Sequence, residues 1–289
     1  MKSKLILGTV QLGLNYGVNN KSGKPSKSAS FDILNTAHKY GLCTLDTAES
    51  YGNSHELIGL FHKNSKRRFK IITKISEFTK LDELDLKIFK FLDELNVEYI
   101  DTLMFHSYDL YIKSKHLIEK LIFFKNQGLI KKLGVSIYNN SDAFKLKNDL
   151  NIDVVQLPFN LLDNHSKRGK IINELKLNNK IVHVRSVFLQ GLFFLNESKN
   201  PIYLKLKVFL EKVLSIANLN NIDLTTLALN YPIFFKDIDN VIIGSETKEQ
   251  LLMNLKSLNT NICESVYNQI NQIDVKNRDL LNPSLWKTM

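Results

Sequence analysis

One theme, repeated eight times, constrains this chain more than any other feature. A short apolar stretch is closed by a polar or small residue and followed by an amphipathic run. The apolar stretches are Leu5–Gly8, Leu42–Asp46, Lys70–Lys74, Thr102–His106, Lys132–Ser136, Val154–Leu157, Ile181–Arg185 and Val241–Gly244. Each has the length of a strand. The runs between them, such as Phe31-Ile33-Leu34-Ala37 and Leu117-Ile118-Leu121-Ile122, place apolar residues three and four apart, the spacing of one helix face. Strands alternating with helices imply parallel strands joined by right-handed crossovers. Strands with little internal polarity imply burial on both faces. Eight such units in 289 residues predict a single-domain (β/α)₈ barrel, a TIM barrel in the α/β class.

The competing architecture, an open Rossmann sheet, needs a G-x-G-x-x-G turn after its first strand. Gly8-Thr9-Val10-Gln11-Leu12-Gly13 lacks that spacing. The stretch from Gln190 to Asp239 exceeds one unit and predicts an extra helix or lid. The segment after Cys263 predicts a helix, then an irregular stretch through Asn282-Pro283 and Trp286.

Composition narrows the functional classes. No stretch approaches the roughly 18 uninterrupted apolar residues of a membrane span, so no membrane role is expected. The first residues, Met1 to Leu7, read as the first strand rather than a leader. Two cysteines, Cys43 and Cys263, are too few for a disulfide framework, and a reducing, cytoplasmic location is expected. Cys43 lies in the apolar run Leu42-Cys43-Thr44-Leu45 and is expected to pack in the core. The net charge of +10 favours an anionic ligand such as a dinucleotide, a phosphorylated metabolite or a nucleotide-linked sugar. The basic residues are scattered apart from Lys66-Arg67-Arg68 and Lys131-Lys132, so nucleic acid is not the expected partner.

In a barrel of this kind chemistry gathers at the C-terminal strand ends. The second predicted strand ends in Asp46, the third in Lys74 and the fourth in His106, and Tyr51 lies five residues past Asp46. Each has a plainer reading: Asp46 as a helix cap in Asp46-Thr47-Ala48-Glu49, Lys74 as a solvated strand end, His106 as a core-edge histidine, Tyr51 as a packing residue. Their arrival at one mouth from three consecutive strand ends points to a reaction instead. Reducing an aldehyde or ketone to an alcohol takes a hydride on carbon and a proton on oxygen. A tyrosine, with an ordinary pKa near 10, can be the acid. An adjacent Lys74 ammonium would lower that pKa, Asp46 would anchor the ammonium, and His106 would orient the carbonyl oxygen.

These residues resemble the aldo-keto reductases. Leu45-Asp46-Thr47-Ala48-Glu49-Ser50-Tyr51-Gly52 is similar to that family's Asp/Tyr signature. Ile71-Ile72-Thr73-Lys74 is similar to its lysine strand, and Asp101-Thr102-Leu103-Met104-Phe105-His106 to its histidine strand. The likeness runs from Gly8-Thr9, two of the cofactor contacts it implies, to about Asn254. It implies NADPH or NADH as cofactor, an oxidoreductase activity, and a small-molecule carbonyl substrate.

The resemblance also implies cofactor contacts. Ser136 and Gln156 match residues that face the nicotinamide amide, although Ile137 stands where an Asn usually follows the serine. Arg185 replaces a tyrosine that stacks on the nicotinamide; it could stack likewise, hold an anionic substrate group, or be a surface arginine. Ser186 to Leu192, with Gly191, resembles the loop along the pyrophosphate. Gly244, Ser245, Thr247, Gln250 and Asn254 fall in the adenosine-phosphate region. There Gly244 replaces a usual Lys, Gln250 a usual Arg, and Glu246 adds negative charge, so the resemblance implies little or no preference for NADPH. Lys248 is a candidate compensating cation. Asn15, Tyr16 and Trp286 are expected near the substrate. The basic charge and Arg185 suggest an anionic or sugar-derived carbonyl compound.

Two other classes are weighed. A non-catalytic NAD(P)H-binding regulator on the same fold could lose any of Asp46, Tyr51, Lys74 and His106, so their joint presence favours an enzyme. A metal-dependent hydrolase would need histidines and carboxylates at ligand spacing. The remaining histidines (His38, His55, His62, His116, His165 and His183) are dispersed, and no metal is expected.

Overall fold

The computed structural model describes residues 4–195 and 199–288. Its strands are β1 (Leu5–Gly8), β2 (Thr44–Asp46), β3 (Lys70–Ile75), β4 (Ile100–Phe105), β5 (Ile130–Ser136), β6 (Val154–Pro158), β7 (Ile181–Arg185) and β8 (Asn240–Gly244). Each pairs in parallel with the next, and β8 closes on β1, so the eight form a closed barrel. All eight predicted strands are present. Their boundaries shift where pairing falls short of the predicted stretch: β2 starts two residues late, at Thr44, and β4 ends at Phe105, one residue before His106.

The helices are α1 (Lys27–Lys39), α2 (Ser54–Asn64), α3 (Leu84–Leu95), α4 (Ile118–Asn126), α5 (Asn140–Leu146), α6 (His165–Leu177), α7 (Pro201–Leu219), α8 (Leu224–Phe234), α9 (Lys248–Lys256) and α10 (Glu264–Asn271), with shorter helical turns between them. Their starts follow local chemistry. Ser26 accepts a hydrogen bond from Ala29 N at the start of α1, and Asp223 does the same for Thr226 N at α8. Asn200 caps α7, with Pro201 in the first turn, where its missing N–H leaves no bond unmade. Helix α7 is the extra element predicted between Gln190 and Asp239; residues 196–198 of that stretch lie outside the described residues, as do Met1 to Ser3 of the predicted first strand.

Side-chain alternation along the strands divides the core in two. Leu5, Leu7, Leu45, Ile71, Leu103, Val155, Val184 and Ile243 face the helices in one large cluster. Ile6, Ile72, Met104, Val154 and Ile242 form a separate, smaller cluster, which is the barrel interior. Each fully buried side chain of this size contributes about 1.5–3 kcal/mol of apolar transfer. Two positions further along each strand the same alternation turns Gly8, Asp46, Lys74, Ser136, Gln156, Arg185 and Gly244 inward, one layer higher. Stability and chemistry thus share one periodicity.

Cys43 does not pack in the core. It precedes β2 and is exposed, its thiol within reach of Gly41 O at 3.5 Å. It lies ahead of the first paired residue, Thr44, so the alternation of the strand does not govern it, and Leu42 and Leu45 on either side take the buried positions. No helix among the described residues is long and apolar enough to cross a membrane, and no group of histidine, cysteine and carboxylate side chains among them could hold a metal ion.

Candidate active site

A cavity of about 1350 Å³ opens over the C-terminal ends of the strands. Asp46, Tyr51 and His106 reach its wall; Lys74 is buried just behind them. Lys74 Nζ donates to Asp46 Oδ1 at 2.6 Å and to Thr47 O at 3.0 Å. The other Asp46 oxygen accepts from Gln156 Nε2 at 2.8 Å. Asp46 is therefore a strand-end ion-pair partner and not a helix cap. Its own carbonyl is fixed by the Thr9 backbone N–H and hydroxyl, at 2.9 and 3.1 Å. Thr9 thus positions the acid residue, a role its placement beside the cofactor region did not suggest.

Lys74 Nζ stands 5.3 Å from the centre of the Tyr51 ring, and the rings of Tyr51 and His106 meet edge to face at 5.8 Å. The four residues singled out by sequence therefore form one cluster. Their electrostatics differ from expectation in one respect. Burial, with the Asp46 carboxylate second, holds the Tyr51 phenol above its ordinary value, and Arg185 opposes that rise. Lys74 was expected to lower it, but the ammonium's charge is matched by Asp46. Burial draws Lys74 itself down, against the pull of Asp46. The phenol stays protonated and available as an acid.

His106 shows what sequence did not. Its Nδ1 lies 2.7 Å from Ser76 Oγ and 3.3 Å from Ser50 Oγ, and the two serine hydroxyls lie 2.9 Å apart, so one of them can donate to Nδ1. Burial, then the charges of Lys74 and Arg185, lower its pKa to about 3. The imidazole is thus neutral. With Nδ1 among hydroxyls, Nε2 is the nitrogen without a protein partner among the described residues and can carry the N–H toward the cavity. Neither serine closes an apolar run, so periodicity gave no signal for them. Glu49 holds this corner together: it accepts from the backbone N–H of Ser76 at 2.5 Å and pairs with Lys87 at 2.8 Å.

Gly8, Ser136, Gln156, Arg185, Ser186 and Gly191 line the cavity. Gln156 Oε1 is buried without a partner, an acceptor aimed at nothing in the protein. Arg185 lies over the Tyr138 ring at 4.3 Å and reaches Ser136 Oγ, Ser186 Oγ and Ile137 O at 3.2–3.4 Å. The loop after β7 is strained, with Ser186, Leu189 and Gln190 all at positive φ. Gln190 binds across to the first loop through Val18 N and the Tyr16 hydroxyl, both at 3.0 Å. Asn15, Tyr16 and Trp286 also line the cavity.

At the far end, Gly244 and Gln250 line the cavity, while Ser245 and Asn254 are buried beside it. Thr247 caps α9 by accepting from Gln250 N at 3.1 Å, and Gln250 Oε1 accepts from Glu246 N at 2.6 Å. These bonds already satisfy part of the helix N-terminus expected to meet phosphate. A side chain at Gly244 would collide with Gln11, whose Nε2 lies 2.4 Å from the ideal Cβ position. Gln11 thus fills the space a side chain at position 244 would take. Gln11 Oε1, Ser245 Oγ and Asn254 Nδ2 are buried and lack partners.

Comparison with known proteins agrees with this geometry. The model of the Aldo/keto reductase family matches residues 4–275. The NADH-specific methylglyoxal reductase of Escherichia coli (strain K12) is 22% identical, over 91% of this chain and 92% of that protein. The D-arabinose 1-dehydrogenase of Saccharomyces cerevisiae is 24% identical, over 99% of this chain and 91% of that one. An aldo-keto reductase from Bacillus halodurans, solved in its holo form, superposes with a TM-score of 0.79 at 16% identity, covering 95% and 94% of the two chains. A match across 4–275, on a closed barrel with its polar residues at one mouth, places this chain in the aldo/keto reductase family of oxidoreductases.

Proposed function

We propose that this protein reduces a small aldehyde or ketone to an alcohol with a nicotinamide cofactor. The observation that carries the reading is the single cluster of Tyr51, His106, Lys74 and Asp46 at the cavity wall. The buried unpartnered atoms support the cofactor: Gln156 Oε1 stands at the catalytic end, and Gln11 Oε1, Ser245 Oγ and Asn254 Nδ2 at the other. Ser136 and Gln156 would hold the nicotinamide amide, the loop 186–191 the pyrophosphate, and the 244–254 region the adenosine. A bound dihydronicotinamide supplies the hydride, two electrons and a proton, to the carbonyl carbon.

The protein's own groups do the rest. His106 Nε2–H donates to the carbonyl oxygen and orients it. The Tyr51 phenol gives its proton to that oxygen as negative charge develops, and Lys74 faces the phenolate left behind. Asp46 keeps the buried ammonium charged and in place, since an unpaired charge there would be costly.

NADH is the cofactor this wall suits better. A 2′-phosphate carries about two negative charges. The 244–254 region meets it with Glu246 and a capped helix start, and Gln11 occupies the place of a cation. The substrate is read as an anionic or sugar-derived carbonyl compound, from the basic charge, Arg185 and the polar cavity wall.

A panel of small aldehydes, ketones and aldoses with NADH or NADPH, read by the nicotinamide absorbance, tests this. Turnover of at least one class, with kcat/KM for NADH equal to or above that for NADPH, is expected. Cofactor binding with no turnover of any class would favour the non-catalytic regulator.

A further inference from the structure

The charges around the reacting centre do not balance. Asp46 and Lys74 cancel within their ion pair, and His106 is neutral. Arg185 ends β7 in the same inward layer, within 3.4 Å of Ser136 Oγ, and its field reaches Tyr51. Its hydrogen-bond partners are the hydroxyls of Ser136, Ser186 and Tyr138 and a carbonyl, and the Tyr138 ring lies beneath it. Among the described residues no carboxylate stands within ion-pair distance of it. Arg168, by contrast, is held by both oxygens of Asp163, at 2.8 and 2.6 Å. Of the carboxylates that share the cavity wall with Arg185, Asp46 pairs with Lys74, and Asp109, Asp142 and Glu246 do not pair with Arg185. One unbalanced cation therefore stands beside the place where the hydride leaves.

We infer that Arg185 makes this site discriminate between the two redox forms of the nicotinamide, binding the reduced form more tightly and so biasing the enzyme toward carbonyl reduction. The inference rests on the proposed cofactor site. Loss of a hydride leaves the nicotinamide ring with a positive charge it lacked when reduced. A guanidinium fixed nearby opposes that charge, and few mobile dipoles in a half-buried site screen it. The pyrophosphate and both riboses are the same in the two forms. Any contact Arg185 makes to them cancels in the ratio of the two affinities, and only its effect on the ring survives. Binding and redox equilibria are linked, so each tenfold preference for the reduced form raises the two-electron midpoint of the bound couple by about 30 mV. Arginine does this at every working pH, because it does not lose its proton.

The test is the pair of dissociation constants for NADH and NAD⁺, measured on the free protein by quenching of Trp286 or by calorimetry, without substrate. The wild type is expected to bind NADH at least tenfold more tightly than NAD⁺. Arg185→Gln is expected to shrink that ratio about tenfold, mostly by tightening NAD⁺, while Arg185→Lys keeps it. An unchanged ratio in Arg185→Gln would overturn the inference, including the case where both affinities weaken together, which would mark a pyrophosphate contact. An altered KM for an anionic carbonyl substrate with an unchanged ratio would overturn it too, and would assign Arg185 to the substrate. A wild type that binds neither nucleotide, nor NADPH and NADP⁺, would overturn the cofactor reading itself.

Discussion

His106 is set to its task by two hydroxyls that do no chemistry themselves. Ser76 and Ser50 surround Nδ1 and burial keeps the ring neutral; a serine hydroxyl that donates to Nδ1 leaves the proton on Nε2. Two outcomes follow. The pH profile of kcat/KM should show no inflection near 6.5 from this histidine, since its pKa is lowered to about 3. Ser76→Ala should lower kcat by roughly three- to tenfold, a share of the loss typical for a hydrogen-bonded general acid–base network, while leaving NADH affinity unchanged. Nitrogen NMR of the imidazole should then show a mixed tautomer; an Nε2–H fraction equal to wild type would remove the serines from the mechanism. The four residues of the cluster were legible because each closes or follows an apolar run. The serines were not, because their meaning lies in the contact between three loops.

At the scale of elements, the position of Tyr51 depends on two glycines from different loops. A Cβ on Gly13 would stand 1.7 Å from Tyr51 O, and one on Gly52 would stand 2.4 Å from Gly13 O. Gly52 also needs its positive φ of 56°. The loop after β1 thus packs backbone to backbone against the loop that carries the acid. Gly59 plays the same part in the contact of α2 with α3, where a Cβ would lie 1.9 Å from Glu94 O. Gly13→Ala should depress kcat at least tenfold, because a displacement of about 1 Å in a catalytic group costs up to a hundredfold. Gly59→Ala should instead lower stability by about 1–3 kcal/mol, the usual cost of overpacking, with kcat in the remaining folded enzyme near wild type. Equal activity losses per folded molecule would contradict this division. Gly13 entered the sequence reading only through its failure to match a dinucleotide motif. Glycine spacing in one chain does not say which distant backbone will press against it.

For the whole molecule, the barrel was the most legible level. Eight strands recur with the same period, and alternation within each decides which residues face inward. Strand limits were less legible, since β2 starts and β4 ends where pairing with a neighbour starts or stops rather than where apolarity does. Burial also leaves a mark on acid stability. Burial lowers the pKa of His106 to about 3 and of His183 to about 4, and lowers His55 and His62 as well. In the unfolded chain these rings titrate near 6.5. Below that pH the unfolded state binds protons that the folded state refuses, so stability is greatest above about 6.5 and falls as the pH drops toward 4. The urea midpoint should be lower at pH 5 than at pH 7.5. A midpoint unchanged or higher at pH 5 would show that the rings are not buried as neutral groups.

The central claim is that Tyr51 is the proton donor to a carbonyl reduced by a nicotinamide. Its most direct test is Tyr51→Phe, with turnover of the best carbonyl substrate and the dissociation constant for NADH measured on the same preparation. The phenyl ring keeps the edge contact to His106 and the face toward Lys74, so the cofactor site should be undisturbed. The expected result is a fall in kcat of about 10²–10⁴-fold, the range for a positioned general acid, with NADH affinity within about twofold of wild type, a difference well under 1.4 kcal/mol. Turnover that survives the loss of the hydroxyl would contradict the account.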